Sequence, residues 1–113
     1  MKYYSEEDTR DLRLALEKEI LSWAEVTEKK MFGCPCYQVK GRLFAFLVTK
    51  GIVITQLSAD DKEKLSSQHQ TSFFQAGRKT VSKWIKIPLK GKRDLEELMS
   101  FVRKSYDEAF LKE

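Results

Sequence analysis

Between residues 31 and 57 three apolar runs are separated by Lys40-Gly41 and Lys50-Gly51, a pattern that predicts three strands joined by tight turns. The middle run, residues 42–49, is apolar on both of its faces. Phe44, Phe46 and Val48 alternate with Leu43, Ala45 and Leu47, so cover is needed on both sides. Upstream, Leu12, Leu16, Ile20, Trp23 and Val26 recur at spacings of three and four behind Ser5, Glu6, Glu7 and Asp8. This predicts an amphipathic helix over about 6–29, with the Ser5 hydroxyl as its cap. Leu14 and Leu21 lie off that stripe, where they are free to be covered or to engage a partner. Downstream, Ser58 with Asp60 and Asp61 predicts a short polar helix holding only Leu65 as a large apolar residue, and 66–71 reads as a polar loop. Phe73 and Phe74 begin a fourth strand that breaks at Gly77. Residues 80–87 form a fifth, with Val81, Ile85 and Ile87 on one face, Trp84 on the other, and Pro88 as its stop. Asp94 with Glu97 predicts a capping box for a last helix over 94–111, striped by Leu95, Leu98, Met99, Val102, Tyr106 and Ala109. The expectation is an α+β fold over a single domain, 1–113: an antiparallel five-stranded sheet with helices, in the order α-β(3)-α-β(2)-α.

Length agrees with one domain, since 113 residues can close one core without disulfides or metals. No apolar stretch approaches the roughly 20 residues of a membrane span, and the N-terminal residues hold no apolar signal region. With two cysteines, the expected compartment is the reducing cytoplasm, with no membrane partner. Charge is distributed unevenly. Residues 1–29 carry 5 basic and 8 acidic groups, residues 30–93 carry 13 and 3, and residues 94–113 carry 3 and 6. The sheet region is therefore basic between two acidic ends, which favours an anionic partner or simply a solvated face.

Candidate chemistry is sparse. Cys34 and Cys36 stand two apart, so in a strand both thiols face one way, at the far limit of disulfide reach. They read either as small apolar residues or as a thiol or metal site, for which only His69 remains as a further strong ligand. His69 itself sits among Ser66, Ser67, Gln68 and Gln70 with no neighbouring nucleophile or orienting carboxylate. The five glycines are isolated, which excludes a glycine-rich phosphate cradle, and no catalytic residue, cofactor or metal is expected. The sharpest hint is the acid-free basic tract Arg78, Lys79, Lys83, Lys86, Lys90, Lys92 and Arg93, with Trp84 in its midst. It reads as a solvated strand edge guarded by lysines, or as an anion- or nucleic-acid-binding face in which Trp84 stacks bases.

Lys30-Met31-Phe32-Gly33, Gly41-Arg42-Leu43-Phe44-Ala45, Gly77-Arg78, Trp84 and Ile87-Pro88 resemble the TfoX N-terminal domain, over about residues 15–110. The likeness to the YjbR/MmcQ-like and YdhG-like small domains is less close. The resemblance implies the same α-β(3)-α-β(2)-α order, no agreed catalytic residues, and an association with bacterial competence gene regulation. TfoX carries a second, C-terminal domain that this chain is expected to lack. Many members have a further glycine after Met-Phe-Gly, where this chain places Cys34-Pro35-Cys36. The expected function is a non-enzymatic interaction or regulatory domain with a protein partner, acting as a monomer or homodimer. Weak sequence-tolerant nucleic-acid binding through 78–93 is the alternative, and thiol or metal chemistry at Cys34 and Cys36 a second.

Overall fold

The computed structural model describes residues 3–112. The chain runs α1 (Glu6–Ile20), β1 (Val26–Met31), β2 (Cys34–Val39), β3 (Arg42–Val48), β4 (Gly51–Ile54), α2 (Ala59–Gln68), β5 (Ser72–Ala76), β6 (Lys79–Pro88) and α3 (Lys92–Leu111). The fold is α+β, but the sheet has six strands rather than five, in the spatial order β1-β2-β3-β4-β6-β5. Every neighbouring pair is antiparallel.

The sixth strand is the one that the helical spacing of Trp23 and Val26 concealed. The expected helix over 6–29 ends at Ile20, and residues 26–31 leave it to pair with β2. A strand reading Val-Thr-Glu-Lys-Lys-Met has no alternating apolar face, because as an edge strand it buries almost nothing. Trp23 stays half-buried by another route, packed against Phe44 and Tyr106. The turn that makes the pairing possible is Phe32-Gly33, with φ of 56° and 78°, the positive pair that a two-residue hairpin needs. Lys40-Gly41 repeats it at 53° and 79° between β2 and β3.

Capping differs from the sequence expectation at both long helices. Ser5 precedes α1 but its hydroxyl caps nothing, whereas its N–H donates to Thr49 Oγ1 at 2.8 Å. The helix α3 starts two residues early behind Gly91, and Asp94 accepts from the Lys90 N–H at 2.8 Å instead of serving as the cap. In α2, Ser58 does accept from the Asp61 N–H, and the helix runs on to Gln68 through part of the expected loop.

Strand register sorts the core into two faces. Tyr37, Ala45, Leu47, Ile52, Ile54, Ile85 and Ile87 share the face under the helices, where the Tyr37 hydroxyl donates to Glu17 of α1. Cys36, Phe46, Val53 and Lys86 share the other. Phe44 was expected to point with Phe46. The register slips at Tyr37/Gln38, so Phe44 has no opposite residue, and its ring meets Tyr106 of α3 at 5.4 Å. Ser105, fully buried in α3, fixes that contact by donating to the Phe44 carbonyl at 2.6 Å and accepting from the Gln56 N–H at 3.0 Å. The helix α2 lies beside α3, tied by Lys104–Asp61 at 3.2 Å.

Among the described residues, no helix covers the Phe46 face. The sheet curls so that Phe74 of β5 and Trp84 of β6 close over it, their centroids 5.1 and 5.4 Å from Phe46. A second slip makes the curl: Phe73 pairs with Ile85 but Phe74 with Val81, which leaves residues 82–84 of β6 unpaired. Tyr3 then ties the far ends of the sheet together. Its ring lies 5.5 Å from Phe32 and 5.7 Å from Phe74, its hydroxyl accepts from the Gly77 N–H, and its carbonyl accepts from Thr49 N–H. Among the described residues, no helix is long and apolar enough to cross a membrane.

Candidate functional site

On the helix side, Arg13 of α1 donates to Glu6 at 2.7 Å and to Glu17, one turn on, at 2.9 Å. Glu17 also accepts from the Tyr37 hydroxyl at 2.6 Å, and Glu6 accepts from Tyr4. Pairing with Glu28 places a β1 carboxylate opposite Tyr37, beside Glu17. The Arg13 guanidinium, helped by the Tyr4 hydroxyl, holds the Glu6 carboxyl down at about 2. Glu28 is pushed the other way, above the usual carboxylate range, first by the Glu17 carboxyl and then by burial. A pocket of about 530 Å³ opens here, lined by Tyr4, Glu6, Arg13, Glu28, Lys30 and Pro35 among others. The network locks α1 to β1 and β2. Its acids answer one another and Arg13, which is the arrangement of a structural clasp.

Cys34 and Cys36 lie on the opposite face, both fully buried and both free. Cys36 Sγ lies 3.3 Å from the Cys34 carbonyl, so this thiol donates to backbone. Burial raises Cys34 from 9.0 to about 11, and burial together with Cys34 raises Cys36 to about 12. At neutral pH both are protonated thiols under a lid of side chains, with little nucleophilic character. Among the described residues, no group of three His, Cys, Asp or Glu side chains is placed to hold a metal. His69 is the residue that ends α2, half-buried and lining a small cleft with Lys90 and Asp94.

The basic tract does not form one site. Arg78, Lys79, Lys83 and Lys86 are exposed on the β5–β6 hairpin. Lys90, Lys92 and Arg93 follow the far end of β6, which spans ten residues or about 30 Å. There Lys90 and Lys92 share a cleft with Asp8 and Asp11 of α1, so acids already surround them. Trp84 is half-buried, on Phe46 and Phe74 rather than under a helix.

Two features escaped the sequence reading. One is the aromatic file Phe32–Tyr3–Phe74–Trp84, with centroid steps of 5.5, 5.7 and 5.9 Å, made of residues from four separate segments. Its only local signal is a bulky residue before Gly33 at a turn. The other is the groove between α1 and α3, about 590 Å³, floored by Leu14, Ala15, Leu95 and Met99. Here a signal existed: Leu14 stands off the helix stripe, and it is 47% exposed. Asp11, Lys18, Glu19, Lys92 and Glu96 rim the groove with both signs of charge.

Fold and surfaces together define a small α+β domain with one continuous core, an apolar groove on its helical side and an aromatic, basic sheet face. The family model of the TfoX N-terminal domain matches residues 19–109, from the end of α1 through nearly all of α3. The chain belongs to the TfoX N-terminal domain family. No curated protein sequence matches it. Within the matched region, Phe32-Gly33, Lys40-Gly41 and Gly77-Arg78 are all two-residue hairpin turns, so the motif glycines that carry the resemblance set the sheet's connections.

Proposed function

We propose that this chain is a non-enzymatic regulatory domain that engages a protein partner in the cytoplasm through the α1–α3 groove. The observation that carries this reading is Leu14, nearly half exposed in a groove that it lines with Ala15, Leu95 and Met99. An apolar floor between two helix faces, rimmed by both charge signs, suits the apolar stripe of one further helix. Leu21, also exposed on the α1 side, extends the apolar surface. Membership of the TfoX N-terminal domain family supports a regulatory or interaction role, and the association of TfoX with competence gene regulation is the context in which it would act.

A photo-crosslinking residue at position 14 tests this reading in the intact chain, with position 100 of α3, also exposed, as the control. A discrete protein adduct from position 14, weakened by Met99→Asp and missing from position 100, is the expected result. An adduct of twice the chain mass would identify the partner as a second copy. Equal labelling from both positions sinks the groove as a docking site.

A further inference from the structure

We propose that the sheet face turned away from the helices binds single-stranded nucleic acid. Bases would stack on the exposed Phe32 ring and the half-exposed Tyr3 and Trp84 rings, with buried Phe74 bracing them, and phosphates would lie against Lys29, Lys79 and Lys86. This goes beyond the groove described above, which lies on the other side of the sheet.

Charge is the first support. Residues 64–93 hold eight Lys and Arg and no Asp or Glu. Register assigns the neighbouring charges as well: Lys29 pairs with Cys36 and so shares this face, whereas Glu28 pairs with Tyr37 and faces the helices. Lys86 is joined to the same face through Val53 and Phe46, and Lys79 follows Phe74 by way of Ala76. The ion pairs among the described residues use Arg13, Arg103 and Lys104, so the cations of this face remain unneutralised. A polyanion is the complementary occupant.

The rings decide which polyanion. Phe32 is 54% exposed with φ of 56°, a conformation that bulky residues rarely adopt. The equivalent turn position in the next hairpin is Lys40, so Phe32 is the hairpin tip that offers an aromatic face to solvent. Phe73, 51% exposed, lies at the rim of a groove of about 500 Å³ that also takes in Tyr3, Ser72, Gln75 and Lys86. Rings recessed between two hairpin tips can meet the faces of unpaired bases, which a duplex keeps stacked inside. With no helix or ribbon presented to a groove, recognition is expected to tolerate sequence.

The test is fluorescence polarisation with a labelled oligothymidylate of about 12 nucleotides, within the usual span of single-strand sites. Binding at low salt is expected, with a log–log salt slope of about −3 for roughly four phosphates. Phe32→Asn should weaken it about tenfold or more while leaving the denaturation midpoint nearly unchanged. Lys79→Glu with Lys86→Glu should abolish binding, and Lys90→Glu with Lys92→Glu should leave it intact. Three results would overturn the proposal: no polarisation change at low salt, equal affinity for a matched duplex, or full binding by Phe32→Asn. Poly-glutamate that binds equally well, with the same dependence on Phe32, would reassign the face to an acidic protein.

Discussion

Phe32 and Phe46 are the same residue type in opposite circumstances, and substitution should separate them. Phe46 is fully buried against Phe74 and Trp84, so Phe46→Ala should destabilise by about 3–5 kcal/mol in urea denaturation. Phe32→Asn relieves a left-handed backbone worth about 1–2 kcal/mol and loses a ring contact worth about 0.5–1.5 kcal/mol. These nearly cancel, so a midpoint shift beyond about 1 kcal/mol would show that Phe32 is a packing residue after all. The thiols give a pH dependence with a definite sign. Their folded values, about 11 and 12, lie above the ordinary 9.0, so the folded state holds their protons longer than the unfolded chain. That stabilisation is complete below pH 9.0 and is lost as pH rises through 11 to 12. A Cys34→Ala/Cys36→Ala protein should therefore lose stability less steeply over this window, and native thiols should resist a thiol reagent at pH 8 until urea is added.

At the scale of elements, Ser105 is the small residue on which the attachment of α3 depends. It gives the Phe44 carbonyl a second donor beside the Thr55 N–H, and it satisfies the Gln56 N–H just past β4. Ser105→Ala should cost about 1–3 kcal/mol, because the Gln56 N–H loses its partner and the Phe44 carbonyl keeps only the Thr55 N–H; a cost near zero would mean that water replaces the hydroxyl. The elements also show which signals a sequence carries. Strands β2, β3 and β4, the stripe of α3 and the Ser58 cap were legible, because burial on a fixed period writes itself into residue type. An edge strand buries little and writes nothing, so β1 was mistaken for helix once Trp23 and Val26 fell at helical spacing by chance. The two register slips were equally silent, yet they turn Phe44 toward α3 and bring Phe74 over Phe46. The candidate site suffered most. The lysines of 78–93 were visible as a run, but their division across the length of β6 and the addition of Lys29 come from pairing alone.

Taken whole, the molecule separates its charge by layer, with the acids of α1 on one side of the sheet and the cations of the β5–β6 hairpin on the other. What keeps the second layer concave is Tyr3, whose hydroxyl meets a backbone group 74 positions away. So wide a separation places this bond late in assembly, since both hairpins must stand before it has anything to join. Tyr3, half-buried, holds the curl through two ring contacts and bonds to Gly77 and Thr49, while β3 and β4 lie in the core. The Gly77 amide should thus exchange its proton with solvent by local release of residues 3–5, orders of magnitude faster than the amides of Phe46 and Val53. In Tyr3→Ala that amide should exchange faster still while the two core amides hold their rates. Such rates would show a native state that opens and shuts at one seam without unfolding.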